Sequence, residues 1–146
     1  MKKYFLYFIL FIAVCGFARG NHLSIEQKIV NKITHALFPY KKVVYIYSYG
    51  IENTSLFQND PYIKLVDNIK KADILFIAKG DFNEKKISKK PIIVLKYSLL
   101  KKYPSAIGAY FFQKSRPNIV ILEPRLKKMH IKLPKEFERY IEYRIW

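Results

Sequence analysis

The chain has 146 residues, 51% hydrophobic and 26% charged, with 27 Lys and Arg against 11 Asp and Glu for a formal net charge of +16. That apolar content excludes a disordered polar segment and supports one core of ordinary size. The lone cysteine, Cys15, excludes disulfide stapling, thiolate catalysis and cysteine-held metal from everything that follows it.

The N-terminus begins Met1-Lys2-Lys3, carries no charge over residues 4–18, and exits through Arg19-Gly20-Asn21. A cationic start, an apolar stretch of about 7–15 residues and small residues at the exit are the parts of a secretory signal peptide. Ala18 and Gly20 place the cut after Gly20. Residues 1–20 are therefore expected to be a cleaved leader, and 21–146 an exported single domain. An uncleaved anchor is one alternative, although the stretch is short of the roughly 20 residues that a helical span needs. A lipidated Cys15 in Ile12-Ala13-Val14-Cys15 is another.

Ser24-Ile25-Glu26-Gln27 has the form of a capping box. Ile25, Ile29, Ile33 and Leu37 then recur every four residues, predicting a helix from Ile25 to Leu37 that stops before Phe38-Pro39. Residues 43–47 read as a strand covered on both faces, closed by Gly50. A helical turn is expected around Ser55-Leu56-Phe57, a turn at Asn59-Asp60-Pro61, and a short strand at residues 63–66. Residues 73–78 are the clearest buried strand; a charged loop over 79–90 leads to a strand at 91–95 and a short helix at 97–102. Strands at 106–112 and 119–122 flank Gln113-Lys114-Ser115-Arg116 as a hairpin. Pro124 opens a helix over 125–129, and Pro134 opens a last helix with Phe137, Tyr140 and Ile141 on one face. The fold class is α/β: a small single domain with a mixed sheet of about 5–6 strands flanked by helices, then a C-terminal β-hairpin followed by a helical cap.

Without Lys2, Lys3 and Arg19 the domain keeps 24 basic residues against 11 acidic ones, a balance of +13. The lysines are scattered pairs such as Lys41-Lys42 and Lys127-Lys128, and arginine is scarce, which argues against nucleic acid. Two readings of this charge stay open: a solvated surface, or attraction to an acidic partner or anionic headgroups.

Catalytic signatures are missing. His22 lies beside the cut, His35 near the apolar stripe of the first helix, and His130 at a helix end; no two have zinc spacing. No phosphate loop and no GxSxG elbow occurs. The chain is read as non-enzymatic, with no catalytic residue, metal or cofactor. If the strands at 43–47, 73–78 and 91–95 are parallel neighbours, their carboxyl ends gather Ser48, Tyr49, Gly50, Lys79, Gly80, Lys96 and Tyr97 as a candidate ligand edge. Candidate partner contacts are Tyr110, Arg116 and Tyr140, drawn from aromatics expected to be exposed, among them also Tyr103, Tyr143 and Trp146. The outer edge of the hairpin is a further docking candidate.

The order of parts resembles the YfiR-like family of small periplasmic proteins. The likeness lies in Phe38-Pro39 leading into the strand at 43–47, in Ile74-Leu75-Phe76-Ile77, in the hairpin over 107–122, and in Leu126, Ile131 and Leu133 before the segment after Pro134. The family has an asparagine where Leu122 stands, a glycine where His130 stands and often serines where Pro134-Lys135 stand. The resemblance implies a periplasmic module that binds and modulates a membrane-bound signalling enzyme, such as a diguanylate cyclase. A small-ligand-binding periplasmic protein and an envelope-associated structural protein are the alternatives. Membrane association would run through an uncleaved or lipidated N-terminus.

Overall fold

A computed structural model describes residues 23–87 and 89–146. The leader, its cut after Gly20, Cys15 and His22 lie outside them. Helix α1 (Ile25–Leu37) starts where the capping box placed it: Gln27 N–H donates to Ser24 Oγ at 3.1 Å, and Ser24 N–H to Gln27 Oε1 at 2.8 Å. Gln27 also donates through Nε2 to the Ser55 carbonyl at 2.7 Å, tying the helix to the next connection. The four-residue stripe is only partly the buried one. Four residues overshoot a helical turn by about 40°, so the stripe drifts. Ile25 is left 59% exposed, while Val30, Thr34 and Ala36 join the core.

The strands are β1 (Val44–Tyr49), β2 (Ile63–Leu65), β3 (Ile74–Ile77), β4 (Ile92–Val94), β5 (Ala106–Gln113), β6 (Arg116–Leu122) and β7 (Ile141–Glu142). They form one sheet in the order β2-β1-β3-β4-β5-β6-β7. The first five are parallel neighbours, β6 runs antiparallel to β5, and β7 parallel to β6. The α/β class with a mixed sheet is therefore the fold. The seventh strand comes from the segment read as a last helix. Lys135–Tyr140 is a 3-10 turn that buries Phe137, after which Ile141 and Glu142 extend to pair with Ile121 and Leu122.

Both faces of the parallel part are covered, as parallel sheets require. On one face Val44, Ile46, Ile74, Phe76 and Ile93 pack under α1, the 3-10 turn Thr54–Phe57, helix α3 (Glu123–Lys128) and Phe137. On the other, Leu75, Ile77, Ile92 and Val94 pack under helix α2 (Leu99–Lys102), Tyr103 and the connections after β2 and β3. Phe76 and Ile74 are wholly buried, each contributing about 2 kcal/mol by area removed from water.

The hairpin closes on two residues, Lys114 (φ 47°) and Ser115 (φ 60°), with Gln113 opposite Arg116. Two positive φ values in a row are the pattern that matches the right-handed twist of the flanking strands. Gly108 is required by close approach: a Cβ there would lie 2.5 Å from the Val120 carbonyl oxygen. Beyond the two residues paired with β7, the outer edge of β6 has no strand neighbour among the described residues. Among the described residues no helix is long and apolar enough to cross a membrane.

Candidate functional site

From β1 the chain turns to one side to form β2, then returns to form β3 on the other side of β1. Strand order reverses there, and in doubly wound sheets the crevice at such a reversal, outside the strand carboxyl ends, is where ligands settle. A groove of 740 Å³ occupies this position. Its floor is Tyr47 and Tyr49 of β1; Asp67, Asn68 and Ile69 form one wall, and Asp81, Phe82 and Asn83 the other.

The two walls are built alike. Asn68 Oδ1 accepts from Lys70 N–H at 2.9 Å and caps the 3-10 turn Ile69–Lys71; Asn83 Oδ1 accepts from Lys85 N–H at 3.1 Å and caps the turn Glu84–Lys86. Asn53 does the same for Thr54–Phe57, so each of the first three crossovers begins with an asparagine-capped turn. The Phe82 ring lies 5.0 Å from that of Tyr49 and 6.3 Å from that of Tyr103. The Tyr103 hydroxyl accepts from Phe82 N–H at 2.9 Å and donates to the Lys79 carbonyl at 2.8 Å, fixing the second wall to the sheet.

Electrostatically the groove is the opposite of its surroundings. Asp67 and Asp81 form no ion pair among the described residues, and Lys71 is the one lysine of the lining. The Tyr49 hydroxyl is held above the ordinary tyrosine value, first by desolvation and then by the charge and hydrogen bond of Asp81. Ring faces, two phenols and two carboxylates suit a group that is flat or cationic and carries hydrogen-bond donors. Among the described residues no three His, Cys, Asp or Glu are grouped to hold a metal ion.

Of the seven residues expected at the ligand edge, Tyr49 lines the groove. The three strands are parallel neighbours, so their ends do share one border of the sheet, but apart from Tyr49 these residues do not line the groove. Ser48 is on the same side of β1 as Ile46, opposite the groove. Gly50 (φ 73°) sits under Lys79, whose Cγ would be 2.5 Å from an added Cβ, and Gly80 abuts Lys102 and Leu99. The Tyr97 ring lies tilted against that of Phe111, 5.5 Å between centroids, and its hydroxyl accepts from Trp146 N–H at 2.9 Å, so the C-terminal residues cover it; Lys96 is exposed beside it.

Among the expected partner contacts, Tyr110 is a correction. It is 2% exposed within the core, and burial, with Glu26 beside it, raises its hydroxyl well above the usual value. Tyr103 is equally buried because both its hydroxyl and its carbonyl are structural. Arg116 is exposed at the hairpin tip, and Tyr140 is half-buried against Phe137, with the guanidinium of Arg139 4.8 Å from its ring. Tyr143 and Trp146 are exposed. His35 is a surface residue stacked 3.8 Å from Tyr62, with Nε2 3.4 Å from Asp60. Sequence reading missed Tyr47, Asp67, Asn68, Asp81, Phe82 and Asn83. The available signal was the repeated Asp and capping Asn just after a strand, in Asp67-Asn68 and Asp81-Phe82-Asn83. The chain matches no protein-family model and no curated protein sequence.

Proposed function

We propose that this protein is a non-enzymatic binding module, exported to the periplasm, that modulates a membrane-bound signalling partner through the groove between residues 67–71 and 81–83. The observation that carries the reading is the coincidence of that groove with the reversal of strand order, where the fold leaves a crevice without further design. Its walls are two connections rather than strands, the kind of segment on which a rigid sheet carries binding residues. The YfiR-like likeness supports the regulatory role and points to a diguanylate-cyclase type of partner. His130 departs from the family's glycine at a position whose backbone is left-handed, φ 55°.

A second reading, a small-ligand-binding periplasmic protein, is favoured by the size of the groove, since ligand sites run to about 300–1,000 Å³. The test is capture from detergent-solubilised membranes of the native host, using the full-length protein and its Asp67→Asn/Asp81→Asn variant as parallel baits. Enrichment of a membrane signalling enzyme by the parent and not by the folded variant is expected. Equal enrichment by both moves the contact away from the groove. No enrichment by a folded bait removes the regulatory reading, and a shift in melting temperature with small cationic aromatics then selects the second.

A further inference from the structure

At the other end of the sheet, a pocket of 470 Å³ opens where β4 and β5 begin and α3 ends. Lys89, Lys90, Arg125, Lys128 and His130 line it, and among the described residues no acidic side chain does. The fold itself uses two of these cations. Lys90 Nζ donates to the carbonyls of Ile69, Lys70 and Ala72. Arg125 donates through Nη1 to Tyr103 and Ala106, at 3.0 and 2.7 Å, and through Nη2 to Leu100 at 2.9 Å. Carbonyls are dipoles rather than charges, so both cations are locked in place with their charge uncancelled by a salt bridge; Glu84 is the carboxylate that bears on Arg125.

Lys89, Lys128 and His130 have no such employment. Among the described residues none makes a side-chain ion pair, and the neighbouring pair Lys127–Glu123 leaves Lys128 out. Lys89 (φ 54°) and His130 (φ 55°) also adopt left-handed backbone, which L side chains rarely take. The other non-glycine cases are Asn59 in its turn and the hairpin pair Lys114-Ser115. At His130 the end of α3 explains it: His130 N–H donates to the Lys127 carbonyl and Ile131 N–H to the Leu126 carbonyl, both at 3.1 Å, which closes the helix and sets His130 at the pocket rim.

We propose that this pocket binds a phosphomonoester. Lys89, Lys128 and His130 hold the phosphate in the fixed field of Lys90 and Arg125, and Ile87, Pro104 and Met129 carry its organic part. A carboxylate is best matched by the planar fork of an arginine, and here that fork is spent on carbonyls; lysines act as point charges, which suits a dianion with three acceptor oxygens. This inference is independent of the groove at the carboxyl ends.

The probe is phenyl phosphate, titrated into the isotope-labelled full-length protein and followed by amide shifts. Saturable shifts at Ser105, Met129 and His130 are expected. Lys89→Gln/Lys128→Gln weakens binding about tenfold or more, as loss of charged hydrogen bonds should, while Lys64→Gln/Lys114→Gln, with the same change of charge elsewhere, weakens it less than about twofold. Circular dichroism checks that both variants are folded. Equal weakening by the two pairs, or no saturable shift, overturns the proposal. Vesicles of phosphatidic acid and of phosphatidylglycerol separate the sources. Preference for phosphatidic acid, displaced by phenyl phosphate, assigns the site to a lipid headgroup; phenyl phosphate binding without vesicle binding assigns it to a soluble phosphomonoester. Equal binding to both lipids that the probe does not displace is surface charge alone and sinks the idea.

Discussion

At the carboxyl ends of β1 and β3 the groove is walled by Asp67, Asp81 and asparagine caps, whereas at the amino ends of β4 and β5 the pocket is walled by lysines, Arg125 and His130. The backbone explains the division. In a parallel sheet every crossover returns against the strand direction, so its helical turns start near the strand carboxyl ends and finish near the amino ends. Starting turns present unpaired N–H groups, and finishing turns present unpaired carbonyls. Asn53, Asn68 and Asn83 supply acceptors to the first; Lys90 and Arg125 supply donors to the second. A lysine-rich composition is thereby sorted by backbone polarity into one acidic-aromatic and one cationic concavity. Tyr103 connects them, since its carbonyl is held by Arg125 and its hydroxyl holds the loop of Phe82.

The strongest break of this comparison is Arg125→Met. It strips three carbonyls of their donor and is expected to cost about 2–3 kcal/mol of unfolding free energy, read by urea denaturation. Lys90→Met should act in the same direction. A loss confined to phosphate binding, with stability unchanged, would contradict the structural role given to the guanidinium. Next is Tyr103→Phe, which removes one donor and one acceptor at the buried hydroxyl and should cost about 1–3 kcal/mol. It also frees residues 79–83, so faster amide exchange at Phe82 is the accompanying readout.

Gly50→Ala ranks third. The left-handed φ of 73° and the clash with Lys79 predict about 1–2 kcal/mol, and Lys79→Ala in the same chain should recover the steric share while the φ strain remains. The smallest effect belongs to Asp81→Asn, which should leave the unfolding midpoint unmoved. It acts on titration instead: Asp81 helps hold the Tyr49 hydroxyl above its ordinary value, so removing the charge lowers the pH at which Tyr49 ionises. Difference absorbance of parent and variant through the alkaline range measures it, and an unchanged curve would place Asp81 out of contact with the phenol.

Much of the fold is legible in the residues. Ser24 and Gln27 announce the start of α1, continuous β-branched runs announce β1, β3 and β4, and Pro124 opens α3 within its first turn. The segment after Pro134 misleads, because Phe137, Tyr140 and Ile141 have helical spacing over too few residues; the unpaired end of β6 offers Ile141 and Glu142 better hydrogen bonds than another helical turn would. The candidate site was half legible. Strand ends on one border follow from parallel pairing, but which of them form a concavity depends on the path of the connections. Tyr110 was misplaced for a related reason: an aromatic on a strand faces either side according to register, and here it faces Glu26 and the core.

By itself, then, the sequence determined local matters: the caps, the turns, the buried strands and the α/β class. Each rests on interactions within a few residues or on apolar content alone. The tertiary structure alone decided that β3 lies on the opposite side of β1 from β2, and that residues 67–71 and 81–83 face each other across Tyr47 and Tyr49. It also decided that Lys89, Lys90, Arg125, Lys128 and His130, separated by up to five strands and helices in the chain, surround one pocket. Strand order and convergence are long-range choices, set by which faces bury one another, and no spacing within a single segment encodes them.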